Sequence, residues 1–126
     1  MFKLTDQDLK KLQGVDANLV KVIKEAAKTA KVPFKVLEGL RTAEKQMEYF
    51  KKGTSRLDGV RKKSKHQLGK AVDIVPLING KPEVRSWTPF YPMADNVKAA
   101  AKRLGVKVTW GGDWKSFKDG PHFEVQ

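Results

Sequence analysis

The chain has 126 residues, 40% hydrophobic and 32% charged, a length and balance that suit one globular domain over residues 1–126 and leave no room for a second core. No apolar run approaches the roughly 18–20 residues of a membrane-spanning helix, and the absence of cysteine removes thiolate metal sites, disulfides and cysteine nucleophiles. The net charge of +12 points to a polyanionic partner: nucleic acid, an anionic membrane surface or a bacterial cell wall.

The amino terminus, MFKLTDQDLKKLQ, lacks the apolar segment and small-residue cleavage site of a secretory signal. Thr5 and Asp8 form a capping-box-like start for a short helix through about Gln13. A second helix is predicted from about Asp16 to Ala30, where Leu19, Val20, Ile23, Ala26, Ala27 and Ala30 make one apolar stripe. Pro33 ends it, and Phe34 to Glu38 alternates as a half-buried strand should. Thr42 is the expected cap of a third helix, about Ala43 to Lys52, closed by Gly53.

Residues 53–65 read as a basic loop, in a stretch where Lys51, Lys52, Arg56, Arg61, Lys62, Lys63 and Lys65 concentrate charge just before His66. The plain reading of such a run is a solvated face. Ala71 to Val75 is predicted as a central strand with an aspartate planted in it, and Asn79-Gly80 as a hairpin turn. A fourth helix follows over about Met93 to Leu104, then a strand from Val106 to Trp110, a Gly111-Gly112 turn and a last strand from His122 to Val125. The predicted fold class is α+β, a small, mainly antiparallel sheet with helices on one side.

The only two histidines, His66 and His122, each sit in a polar motif beside a predicted strand. Most lone histidines are structural or simply exposed. Asp73, seven residues after His66, can turn back toward it, and an ionised carboxylate in an apolar strand is costly unless paired or bound to metal. In Asp119-Gly120-Pro121-His122 the Gly-Pro pair forbids a regular helix, so a turn into a strand would bring both polar side chains to one mouth. His66, Asp73 and His122 then make a three-ligand zinc site with the fourth position open to water, and Asp119 is left as the general base.

The pattern Ser-x-His-x-x-Gly-x-Ala-x-Asp from Ser64 to Asp73, with carboxylate-x-x-His about fifty residues on, resembles the metallopeptidases of the D-Ala-D-Ala carboxypeptidase group. Their fold is shared with lysostaphin-like enzymes and the hedgehog signalling domain. Glu38-Gly39-Leu40-Arg41-Thr42 and Trp110-Gly111-Gly112-Asp113-Trp114 are most similar to phage endolysins that cleave the L-alanyl–D-glutamate bond.

By position, the resemblance implies Zn2+ on His66, Asp73 and His122, Asp119 as base, and Arg41 as the cation that steadies the oxyanion. It implies supporting or substrate-binding roles for Gln46 and Ser64. Trp110, Trp114 and Phe117 are candidates for the cleft wall, Trp114 being the one assigned to substrate, although aromatics at such spacings are more often core. Relatives often carry Glu-x-x-His or His-x-His in the last motif; here the base is the shorter Asp119, there is no third histidine, and no second metal is expected.

The implied function is a zinc peptidase acting on bacterial peptidoglycan stem peptides, at the L-alanyl–D-glutamate bond. Such an enzyme is expected to be a monomer that binds neither nucleic acid nor membrane, held in the host cytoplasm until released to the wall. The alternatives are a D,D- or L,D-carboxypeptidase of the same fold, a catalytically dead wall-binding module, or a basic nucleic-acid-binding protein or nuclease. Nuclease sites more often use several carboxylates with Mg2+.

Overall fold

The computed structural model describes residues 2–41, 43–53, 65–115 and 118–126. Thr42, Ser64, Phe117 and most of the basic loop lie outside the described residues, as does the side chain of Gln46. The order is α1 (Asp6–Lys11), α2 (Ala17–Lys28), β1 (Phe34–Glu38), α3 (Ala43–Lys51), β2 (Ala71–Ile78), β3 (Lys81–Pro82), α4 (Phe90–Leu104), β4 (Thr109–Trp110), a 3-10 turn (Gly111–Asp113) and β5 (His122–Glu124). The strands run β1-β2-β5-β4, with β3 paired to β2, and every pairing is antiparallel. None of the helices among the described residues is long and apolar enough to cross a membrane.

The helices start and stop for local reasons. Thr5 and Asp8 close the expected capping box on α1, and the second Asp8 oxygen accepts the Val36 backbone N–H at 2.9 Å, tying α1 to β1. Asp8 is 2% exposed. Asp8→Ala would strand the Thr5 and Val36 donors and is expected to cost about 2–4 kcal/mol, read from the midpoint of urea unfolding at constant slope. Asp16 is the cap of α2 rather than its first residue, accepting from Asn18 and Leu19.

Helix α4 begins three residues earlier than predicted, at Phe90. Pro92 falls in its first turn, where a missing N–H costs nothing. Its end explains why the strand predicted from Val106 is shorter. Gly105 is left-handed, with φ 71°, and Val106 donates back to Ala101 at 2.9 Å, so Val106 still serves the helix and pairing begins only at Thr109. Strand β2 runs past Val75 to Ile78. Pro76 gives the ladder no N–H, but its carbonyl accepts from Glu83, and Leu77 donates to Pro33.

Two faces of the sheet have different tasks. Val72 pairs with Phe123 and Val36 with Ile74, and these side chains join Leu19, Ile23, Met93 and Val97 of α2 and α4 in the core. The neighbours in sequence point the other way, as a two-residue repeat requires. Asp73 therefore stands opposite His122 on the face away from that core. A bulge between Val36 and Glu38 brings Glu38 opposite Asp73 as well.

Candidate metal centre

Strand register supplies two of the three candidate ligands and a turn supplies the third. Asp73 on β2 and His122 on β5 are direct partners, with His122 Nδ1 3.4 Å from Asp73 Oδ1. His66 lies in the turn before β2, which is held at both ends: Lys70 donates to the Lys65 carbonyl at 2.8 Å and Arg41 to the His66 carbonyl at 3.0 Å. The turn is also pinned to the start of α2, where Asp16 donates to Gly69 and its carboxylate pairs with Lys70 at 2.7 Å. This geometry leaves His66 Nε2 3.1 Å from Asp73 Oδ1.

Each imidazole is oriented by a bond from its other nitrogen. His66 Nδ1 donates to the Gly39 carbonyl at 2.9 Å, so Nε2 is the nitrogen turned toward Asp73 and the one a metal would take. His122 Nε2 donates to Glu124 Oε1 at 2.7 Å, leaving Nδ1 for a metal. A carbonyl or carboxylate behind each histidine is the usual outer arrangement of a metal site. One ligand atom from each of the three residues lies within 4.8 Å of the others. With zinc bonds of about 2.0–2.1 Å, tetrahedral ligand atoms sit about 3.3 Å apart, close to the two separations from Asp73. The donor set therefore fits such an ion.

Charge in the centre follows from the same contacts. Burial works against the Asp73 carboxylate, but hydrogen bonds from His122 and His66 outweigh it and hold it well below the usual carboxylate range. Burial likewise opposes charge on His122, yet the Asp73 and Glu124 carboxylates push its imidazolium up to about 9. A metal needs the neutral ring, so below about pH 9 metal and proton compete for His122. Metal affinity should rise with pH up to that value. Calorimetry of zinc binding at pH 7, repeated in buffers of different ionisation heat, should show about one proton released from this residue; no proton release would contradict the assignment.

Asp119 reaches the centre through a tight turn. It donates its N–H to Gly111 at 3.0 Å and accepts from the His122 N–H at 3.2 Å. Buried Trp110 donates Nε1 to the Gly120 carbonyl at 2.6 Å, clamping the same turn. A methyl group on Gly111 would lie 2.3 Å from the Asp119 carbonyl oxygen and 3.1 Å from the His122 Cβ, so only glycine fits there. Burial, and then the Asp73 carboxylate, raise the Asp119 carboxyl above its ordinary value. A raised carboxylate beside a metal set is a suitable proton acceptor.

Arg41 lies at the same mouth, its backbone bonded to the His66 turn. Its side chain pairs with Glu38 through Nε at 2.8 Å and stacks 4.6 Å over the Tyr49 ring. Trp114 is half-buried, its ring centre 5.0 Å from that of His122. Trp110 is core instead, 4% exposed and stacked on Phe123. Sequence reasoning missed Glu38 and Glu124. The second had a signal, because two residues beyond His122 on a strand is the same face.

A family model described as phage L-alanyl-D-glutamate peptidase matches residues 1–125. The chain belongs to that family. It is 33% identical over 118 residues to the L-alanyl-D-glutamate peptidase of Escherichia phage T5, covering 94% of this chain and 85% of the relative. It is 31% identical over 115 residues to the peptidoglycan L-alanyl-D-glutamate endopeptidase CwlK of Bacillus subtilis strain 168, covering 82% of this chain and 66% of that one. The crystal structure of the Serratia marcescens L-Ala D-Glu endopeptidase ChiX superposes with a TM-score of 0.88 at 38% identity, covering 98% of this chain and 89% of that one. Membership in this peptidase family, together with the fold match, displaces the nuclease reading.

Proposed function

We propose that this chain is a zinc-dependent endopeptidase that cleaves the L-alanyl–D-glutamate bond of peptidoglycan stem peptides, working as one monomeric catalytic domain of a phage-type endolysin. The observation that carries the proposal is the convergence of His66, Asp73 and His122 in a chain of the L-alanyl-D-glutamate peptidase family. Zinc bound there would polarise the scissile carbonyl and bring the pKa of a water to about 7.

The chain's own residues supply the rest. Asp119, half-buried and raised, takes a proton from the attacking water and passes it to the leaving D-glutamate nitrogen. Arg41, held in place by Glu38 and Tyr49, sets a fixed cation where negative charge grows on the carbonyl oxygen, which favours the transition state over the ground state. Glu124 and the Gly39 carbonyl keep the two rings aimed, and Trp114 forms one wall beside His122. Gln46 and Ser64 are proposed to contact substrate on the strength of the sequence pattern alone.

With a net charge of +12, the protein is expected to be held on the anionic wall electrostatically once released from the cytoplasm. Activity on whole sacculi should then fall steeply with ionic strength, while cleavage of a small soluble stem peptide hardly changes. Superimposable salt curves would sink that idea. The bond itself is tested by mass spectrometry of digested muropeptides. A severed L-Ala–D-Glu bond supports the proposal, and free alanine would mark a carboxypeptidase instead.

A further inference from the structure

Next to the turn that carries Asp119, Trp87 and Tyr91 wall an open cleft of about 240 Å³, completed by Gly112 and Lys118. Both rings face solvent, Trp87 at 41% and Tyr91 at 54% exposure. They stand 6.2 Å apart and 37° from parallel, and Trp87 is braced by Phe90 at 6.1 Å and by Trp110 at 6.4 Å. Two of its lining residues neighbour, in sequence, residues packed at the metal centre. Gly112 follows Gly111, which touches Asp119 and His122, and Lys118 immediately precedes Asp119.

We propose that this cleft is a saccharide subsite, holding the N-acetylated muramoyl ring of the glycan strand while the stem peptide crosses the metal centre. The inference rests on the proposed L-alanyl–D-glutamate cleavage, and the chemistry of that substrate makes it specific. L-Alanine is the first stem residue, joined directly to the lactyl group of the sugar. An extended residue spans only about 3.5 Å, so a site that cuts behind L-alanine must meet the sugar beside the scissile bond. A pyranose offers an apolar C–H face to aromatic rings and a polar rim to a cation, which is what Trp87, Tyr91 and Lys118 provide. The braced rings give up little side-chain freedom on binding.

Two substrates with the same stem tripeptide test the subsite, one with an N-acetylglucosaminyl-muramoyl disaccharide on L-alanine and one with an acetyl cap there. The wild-type kcat/KM should favour the disaccharide form by about tenfold. Trp87→Ala and Tyr91→Ala should each pull that ratio toward one. Trp87→Phe, which keeps a ring against Trp110, should retain part of it and serves where Trp87→Ala fails to fold. A wild-type ratio of one, or a ratio unchanged in folded variants, overturns the proposal. If neither substrate is cut at this bond, the endopeptidase reading fails by itself. The free disaccharide, titrated while the Trp87 indole N–H is followed by NMR, then decides the cleft: a saturating shift that Tyr91→Ala weakens supports it, and no shift at millimolar sugar rejects it.

Discussion

Replacing Asp119 with alanine should lower kcat by about 10²- to 10⁴-fold while the protein keeps its metal. The reason lies in the separation of tasks across one turn. His122 reaches the metal set from β5, with Nδ1 toward Asp73 and Nε2 on Glu124, and none of these contacts uses the Asp119 carboxylate. The backbone groups of Asp119 hold the turn through Gly111 and His122, and alanine preserves both bonds. Loss of the side chain therefore removes the proposed proton acceptor and little else. Metal content by plasma spectrometry and turnover on a soluble stem peptide give the two readings. A variant that released its metal would show that Asp119 is a ligand and that the division of roles is wrong.

His66→Ala should abolish metal binding and activity together, and should also unfold at lower denaturant than the wild type. The residue is 3% exposed, and its Nδ1 is a partner of the Gly39 carbonyl. Truncation removes one of the three proposed ligands and leaves that acceptor facing a void, at a cost of about 1–3 kcal/mol before any metal is considered. Zinc should raise the melting temperature of the wild type, because an ion that binds only the folded site stabilises it by mass action. The variant should show no such response at the same zinc concentration. A zinc-dependent rise of equal size in His66→Ala would remove this histidine from the ligand set.

The His-Asp-His group that could hold a metal was legible in the sequence because it depends on few choices. With two histidines and no cysteine, the ligand candidates were nearly forced. The period of two in Val72-Asp73-Ile74 states that the aspartate leaves the core face where its neighbours enter it. What supports the set was harder to read. Glu38 meets Asp73 only because a bulge shifts the register after Val36, and nothing local announces that shift. Resemblance singled out Arg41, but its stacking on Tyr49 depends on where α3 packs. Two tryptophans four residues apart have different fates, Trp110 on β4 stacked on Phe123 in the core and Trp114 half-buried beside His122, with a 3-10 turn between them. The cleft of Trp87 and Tyr91 was hidden in a proline-rich stretch that composition alone marks only as irregular.

In the proposed mechanism His66, Asp73 and His122 hold the zinc on which cleavage of the L-alanyl–D-glutamate bond depends. It is tested most directly by digesting purified sacculi with three preparations: as isolated, stripped by chelator, and stripped then reloaded with one equivalent of zinc. New D-glutamate amino termini are expected in the first, none in the second and recovery in the third, with one zinc per chain. Cleavage of that bond by the stripped protein would contradict it.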